Sequence, residues 1–147
     1  MKISVGSVVP APRERVFAAL VDPAVLQRSI PGCEAFVATG ADEYEATLKI
    51  GVAGLKGSYT GKARIRDQQP PESLSLSFEG KGGPGFVRGT GHIRLSTEDA
   101  GTRIGCDADV QVGGLIAAVG SRLVEAAAKK VADDFFRQLT QEIAAQP

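Results

Sequence analysis

Few residues of this chain have the type and spacing that catalysis requires. His92 is the single histidine, and the alternation around it predicts an outward-facing strand position. A histidine-based triad needs a buried histidine beside a nucleophile, and a zinc site needs further ligands. Asp107 and Asp109 share one strand face and could suggest paired carboxylates. Hairpin register places that face near Arg88 and Thr90, which favours cross-strand charge pairing instead. We therefore expect no catalytic residue and no metal site.

A glycine-rich segment at 80–85, Gly-Lys-Gly-Gly-Pro-Gly, matches the dinucleotide-binding pattern G-x-G-x-x-G. That pattern binds pyrophosphate only where a helix follows it. Here Pro84 and an alternating strand follow, so we reject dinucleotide binding. The composition predicts a mobile loop. This loop is either a plain hairpin or a gate over the mouth of a pocket, with Phe86 as its plug.

The charged residues indicate a balanced surface. The chain has 17 basic and 17 acidic residues and a net charge of zero, whereas nucleic acid attracts a strongly basic field. Lys56, Lys62, Arg64 and Arg66 form a basic outer stripe with no aromatic residue among them. Such a stripe is usually a solvated face, and the alternative is a docking surface for an acidic partner or anionic lipid headgroups.

Length and hydropathy predict one domain over residues 1–147, located in the cytoplasm. No apolar run approaches the ~18 residues of a transmembrane helix, and the N-terminus has no signal-peptide core. In that compartment Cys33 and Cys106 are expected to be reduced and buried, with a disulfide as the less favoured alternative.

Hydrophobic periodicity predicts an α+β domain, in which a curved, seven-stranded antiparallel sheet grips a long C-terminal helix. A first strand is predicted at 2–9, and six more lie between 34 and 112. Two short helices, opened by Pro12 and Pro23, separate the first strand from the others. Apolar residues at steps of three and four predict a single helix from Gly113 to Ile143.

Small residues dominate the inner face of the predicted sheet and the first half of the long helix. Interiors normally pack densely, so small residues on both layers leave either a tightly bent sheet or a cavity. The number of adjoining small positions favours a cavity. The predicted ligand-binding residues are Phe17, Leu20, Leu26, Leu48, Tyr59, Gly61, Phe78, Phe86, Gly89, Cys106, Ala108, Val119, Gly120 and Leu123.

The chemistry of the predicted cavity indicates an apolar ligand. Its lining contains no Asp, Glu, Lys, Arg or His, and Tyr44 and Tyr59 are its main hydrogen-bonding groups. A mostly apolar pocket with one or two polar groups suits a lipid-like or aromatic molecule. Gly120 costs ~1 kcal/mol within a helix, so we expect its missing side chain to make room for the ligand. The alternatives are a small cyclase or dehydratase, which would need ionisable groups in the pocket, and a docking scaffold.

Several stretches resemble the family of the carbon monoxide dehydrogenase G subunit, within the START-like (SRPBCC, helix-grip) superfamily of hydrophobic-ligand binders. The similarity covers nearly the whole chain. It is carried by 30–34 (Ile-Pro-Gly-Cys-Glu), 57–61 (Gly-Ser-Tyr-Thr-Gly), 80–91, 101–103 (Gly-Thr-Arg), 107–114 (Asp-Ala-Asp-Val-Gln-Val-Gly-Gly), 120–123 (Gly-Ser-Arg-Leu) and 133–136 (Asp-Asp-Phe-Phe).

This resemblance implies a non-catalytic accessory protein of a molybdenum hydroxylase of the CO dehydrogenase type. It also implies a role in recruiting that enzyme to the cytoplasmic membrane, through peripheral contact at the inner face. An apolar pocket beside an enzyme whose electrons must reach the membrane makes a quinone the most economical ligand. We expect no covalent cofactor.

Overall fold

A computed structural model describes residues 1–146. The elements are β1 (Lys2–Val9), α1 (Arg13–Leu20), α2 (Pro23–Ser29), β2 (Cys33–Gly40), β3 (Glu43–Ile50), β4 (Gly57–Gln69), β5 (Ser73–Gly82), β6 (Gly85–Glu98), β7 (Gly101–Gly113), α3 (Leu115–Ala118) and α4 (Ser121–Ala145). This order confirms the predicted α+β class and the helix-grip arrangement, because one antiparallel sheet packs against the C-terminal helix.

The sheet has the order β1-β7-β6-β5-β4-β3-β2, and every neighbouring pair is antiparallel. Strands β2 to β7 follow each other as hairpins, and β1 pairs with β7. Directly opposed residues in such pairs point to the same side of the sheet. The register therefore defines an inner face toward α4 and an outer face that no helix covers.

The short helices begin where the prolines predict. Asp22 caps α2 by accepting a hydrogen bond from the backbone N–H of Ala24, at 3.0 Å, and Pro23 occupies the first helical position. Pro12 is the N-cap of α1, one position before its predicted place. Both helices pack toward the end of the sheet where α4 finishes, which closes that end of the interior.

Two separate apolar clusters form the interior. The larger joins α1, α2, the second half of α4 and one end of the sheet, and it includes Phe17, Tyr44, Leu74, Ile104 and Leu139. The smaller lies at the other end, where Tyr59, Ile116 and Val124 are buried together. The interior thus has a broad closed end and a narrow end held by α3.

The predicted single helix from Gly113 to Ile143 is wrong in its first turns. The chain breaks between α3 and α4 at Gly120, which has φ 97° and ψ 146°. Gly114, before α3, also has a positive φ of 75°. Residues other than glycine rarely adopt such backbone angles, because their Cβ would clash with the backbone. The apolar spacing continues across the break, which is why periodicity alone predicted an unbroken helix.

The predicted mobile loop at 80–85 is instead a tight hairpin. Strand β5 continues to Gly82 and β6 begins at Gly85, so only Gly83 and Pro84 turn the chain. The carbonyl of Pro84 accepts a hydrogen bond from the N–H of Ile116 at 2.9 Å. The turn is therefore fastened to α3, which favours the plain hairpin over the gate.

Among residues 1–146, no helix has both the length and the hydropathy needed to cross a bilayer.

The break at Gly120 predicts a backbone role for this glycine. A Cβ built there would have no heavy atom within 4 Å, so a side chain would fit in the available space. The positive φ is therefore what requires glycine at this position. Gly120→Ala should lower the free energy of unfolding by about 1–3 kcal/mol. Gly51→Ala is the matched control, because that position is equally open and lacks the positive φ. Urea unfolding followed by circular dichroism measures both, and equal stabilities would contradict the assignment.

Candidate functional site

Cross-strand register gathers the smallest inner-facing residues into one band across the middle of the sheet. Gly61 lies opposite Gly80, Ala63 opposite Phe78, and Gly91 opposite Ala108. We call this the small-residue band; its members are Ala46, Gly61, Ala63, Gly80, Gly89, Gly91 and Ala108. On α4 the buried Ala127 lies in sequence between Val124 of the smaller cluster and Phe136 of the larger. The band therefore separates the two apolar clusters.

Phe78 is a bulky side chain on the same part of the inner face, and its ring lies over Gly89 of the band. Its ring covers Gly89 so closely that a Cβ there would lie 2.9 Å from the ring Cζ. Phe78 faces inward yet is only half-buried, and it belongs to neither apolar cluster. Leu48 and Val87 also face inward and are half-buried. The interior is therefore incompletely sealed around the band.

Surface depressions do not mark a ready-made cavity above the band. One of about 730 Å³ lies on the outer face, over β2 to β6. Three others, of about 470 to 570 Å³, lie on the outer face or beside α2. The residues lining these four place none of them between the sheet and the buried face of α4. In this conformation the ring of Phe78 occupies the space above Gly89.

The structure distributes the predicted ligand-binding residues over several places. Gly61, Gly89 and Ala108 belong to the band, and of these Gly89 lies beneath Phe78. Leu48 and Tyr59 lie at the smaller cluster. Phe17, Leu20 and Cys106 belong to or border the larger cluster, and Leu26 is buried on α2. Phe86, Val119, Gly120 and Leu123 lie elsewhere.

Phe86 lies on the outer face, so its predicted place in the pocket is wrong. It pairs with Gly113 across the strands, and its ring occupies the space where a Cβ of Gly113 would stand. The guanidinium of Arg88 lies 5.7 Å from the ring centroid. Val87 faces inward, and successive residues of a strand point to opposite faces, so its neighbour Phe86 must face outward.

Val119, Gly120 and Leu123 lie at the exposed junction of α3 and α4. Val119 and Leu123 are each 44% exposed, and the inward position is taken by Val124. Gly120 therefore does not make room for a ligand between the sheet and the helix. Its positive φ explains why a glycine is present there. Because the helix breaks at Gly120, Val124 faces the sheet where an unbroken helix was predicted to present Leu123.

The inner polar groups are few and largely occupied. The hydroxyl of Tyr59 donates a hydrogen bond to the carbonyl of Leu55 at 2.6 Å, and burial raises the pKa of this phenol. Tyr44 stacks on Phe36 with ring centroids 5.1 Å apart, and burial, followed by Asp42 and Asp22, raises its pKa. Both phenols are held in the neutral form.

Ser29, at the end of α2, is a polar group that the sequence analysis missed. It is fully buried, and its Oγ has no hydrogen-bond partner among residues 1–146. A buried hydroxyl without a partner costs about 1–3 kcal/mol. Nothing in the sequence distinguished Ser29, because a serine near a helix end is ordinary.

The outer face brings Ser75, His92 and Asp107 onto three adjacent strands. His92 Nδ1 lies 3.0 Å from Ser75 Oγ. Asp107, however, accepts hydrogen bonds from Ser4 and Arg94, each at 2.7 Å, and these contacts hold the pKa of its carboxyl below the usual value. The carboxylate does not orient His92, so these residues form no assembled triad. The predicted partner of Asp107 was Arg88, and the register supplies Arg94 instead.

Both cysteines have free, half-buried thiols. Burial raises the pKa of each thiol, and for Cys106 the neighbouring Asp107 adds to the effect. Neither thiol is therefore activated as a nucleophile.

A family model described as the G subunit of carbon monoxide dehydrogenase (CoxG) matches residues 6–144. The chain belongs to this family. The resemblance carried by the stretches from Ile30 to Phe136 is thereby confirmed, and association with a CO dehydrogenase system follows from the family's name. No curated protein matches this CoxG chain significantly.

Solved structures agree with the fold. A conserved protein from Geobacillus kaustophilus is 35% identical, with a TM-score of 0.94, over 98% of this chain and 95% of that one. A protein from Chromobacterium violaceum is 17% identical with a TM-score of 0.75, over 99% and 98%. One from Thermus thermophilus is 18% identical with a TM-score of 0.73, over 99% and 98%. The latter two show similarity of fold alone.

Close packing at Gly89 gives a prediction for the band. A Cβ at Gly89 would lie 2.5 Å from the carbonyl oxygen of Asp109 and against the ring of Phe78. Gly89→Ala should therefore destabilise the CoxG chain by about 1–3 kcal/mol. Gly91→Ala is the control, because its Cβ would make only ordinary contacts at 3.7 Å and beyond. Equal midpoints of urea unfolding for the two variants would contradict this packing.

Proposed function

We propose that this CoxG family member is a non-catalytic, cytoplasmic accessory protein of a molybdenum hydroxylase of the CO dehydrogenase type. It binds an apolar redox lipid, a quinone, and links the enzyme to the quinone pool at the inner face of the membrane. Family membership supports the partner. The half-buried Phe78 over the small-residue band is the observation that carries the ligand site.

The ligand takes the place of the Phe78 ring. Gly89 lies beneath that ring and Ala63 lies directly opposite Phe78 on β4, so removing the ring exposes a shallow apolar slot between the two clusters. A flat aromatic headgroup matches the shape and polarity of the ring it displaces, because both offer an apolar face. The half-buried state of Phe78 means that little packing is lost when it swings away.

Tyr59, in the smaller cluster, offers a polar contact to the part of the ligand that extends from the slot toward that cluster. Its proton is already donated to Leu55, so its oxygen is left to accept a hydrogen bond. A quinol has hydroxyl donors and an oxidised quinone has none. The site therefore favours the reduced ligand over the oxidised one.

Catalysis by the chain itself has little support from the interior. The inner-facing positions of β3 to β7 between residues 44 and 112 contain no charged side chain at the band. A cyclase or dehydratase would need an acid or base aimed at its substrate. No covalent cofactor is proposed, because the ligand is exchanged.

Titration with a short-chain quinol and quinone tests the site. Phe78→Ala should open the slot and tighten binding, while Gly80→Leu should fill it and abolish binding. A Cβ at Gly80 meets only the Thr60 carbonyl oxygen, at 3.8 Å, so the larger side chain can enter without a backbone clash. Ser77→Leu adds the same side chain to the outer face and is the control. Absence of binding by the unmodified chain, or unchanged affinity in Gly80→Leu, would disprove the proposed site.

The partner enzyme docks on the outer face, over the depression of about 730 Å³. Glu45, Lys62, Glu79 and Arg88 lie directly opposite one another on β3 to β6. Within residues 1–146, these four form no ion pair with one another or with other side chains. Their charges are available to a complementary surface.

Phe86 and Arg88 provide the anchor of this docking surface. Phe86 is 41% exposed, and Arg88 is held beside it by a hydrogen bond from its Nε to Gln111 at 2.9 Å. Aromatic and arginine side chains of this kind carry most of the binding energy in protein interfaces.

Binding of the purified hydroxylase complex, measured by biolayer interferometry, tests the docking surface. Phe86→Ala should weaken the complex about tenfold or more, as expected for a central aromatic anchor. Val8→Ala removes a similarly exposed apolar side chain from the far edge of the sheet and should have no effect. Equal losses in both variants, or none in Phe86→Ala, would place the interface elsewhere.

A further inference from the structure

Three segments meet at the narrow end of the molecule: the β3–β4 loop (51–56), the turn at Gly83 and Pro84, and 114–123. We call this the tip. Pro84 packs on Gly57, where a Cβ would lie 2.3 Å from the proline Cγ. Leu123 packs on Gly54, with its Cγ 3.1 Å from the corresponding Cβ position. With the Ile116 to Pro84 hydrogen bond, these contacts make the tip one continuous surface.

The tip concentrates exposed apolar side chains. Leu115 is 71% exposed, and Val119 and Leu123 are each 44% exposed. They follow at steps of four residues, and Ile116 between them is buried and anchors α3. Only three other large apolar side chains among the described residues, Val8, Val37 and Phe86, are comparably exposed. An apolar patch kept in water at one end indicates a contact surface.

Charge is segregated at the same end. The three segments of the tip contain Lys56 and Arg122 and no Asp or Glu, and Lys81 lies two residues before the turn, although the chain as a whole has 17 acidic residues. Protruding apolar side chains surrounded by cations complement a bilayer with anionic headgroups. An acidic protein groove would match the cations but would have to receive side chains that protrude from a rounded end.

We propose that the tip is the surface with which this protein docks on an anionic lipid bilayer, inserting Leu115, Val119 and Leu123 between the headgroups. The proposal deepens the membrane link of the proposed function by naming the surface responsible. The cations contribute electrostatic attraction, so docking weakens as salt rises. The docking surface includes α3, whose Ile116 is part of the smaller apolar cluster.

Flotation with quinone-free vesicles tests docking separately from ligand binding. The chain should bind vesicles of phosphatidylcholine mixed with phosphatidylglycerol and should bind phosphatidylcholine alone much more weakly. Leu115→Asp should abolish binding. Arg122→Gln should weaken binding to the anionic vesicles about fivefold at low salt. Val8→Asp, which places the same charge at an exposed apolar site away from the tip, should bind as the unmodified chain does.

Two controls keep the proposals apart. Gly80→Leu should still bind vesicles, and Leu115→Asp should still bind a short-chain quinol in solution, since its site is not at the tip. Failure of the unmodified chain to bind anionic vesicles would overturn the docking surface, as would equal losses in Leu115→Asp and Val8→Asp. Loss of hydroxylase binding in Leu115→Asp, with vesicle binding absent throughout, would instead assign the tip to a protein partner and also overturn the proposal.

Discussion

The width of the sheet is the constraint on which the rest of the structure depends. Seven strands spaced ~4.8 Å apart span ~29 Å, whereas one helix is ~10–12 Å across. The single long helix α4 therefore cannot cover the whole apolar face. Helices α1 and α2 close one end with Phe17 and Leu20 of α1 and Val25 of α2, and α3 closes the other with Ile116. Between α1 and α2 at one end and α3 at the other, the inner face of the sheet carries small residues. Their side chains have little apolar surface to bury.

This division explains why the middle of the interior differs from its ends. Large side chains at the ends gain the most from burial and stabilise the fold. In the middle, Gly89 lets the ring of Phe78 approach the sheet closely, and a bulkier residue there would meet the backbone of Asp109. The ring remains half-buried because no apolar neighbour of either cluster encloses it. A site for an apolar ligand can therefore exist here without destabilising the core.

The strands and the family were predictable from sequence because their signals are local. Alternation of apolar residues sets each strand's inner face, and hairpin connections set the order. The break at Gly120 was not predictable, since the spacing from Ile116 to Val124 remains compatible with one helix and φ is invisible to periodicity. Glycine content at 80–85 suggested mobility, but pairing on both sides holds those residues in strands. The burial of Ser29 and the lack of a partner for its hydroxyl depend on residues distant in sequence, and no local pattern encodes them.

At the narrow end, α3 joins the exposed tip to the smaller apolar cluster. Ile116 is buried beside Tyr59, while Leu115, its neighbour, is the most exposed large apolar residue described. Two positive-φ glycines flank this short helix, and a single backbone hydrogen bond from Ile116 fastens it to the hairpin turn. One short helix thus holds an exposed and a buried apolar side chain at adjacent positions. Because the buried members of the smaller cluster are Tyr59, Ile116 and Val124, α3 supplies one of its three buried side chains, and the exposed patch of the tip begins at the adjoining residue.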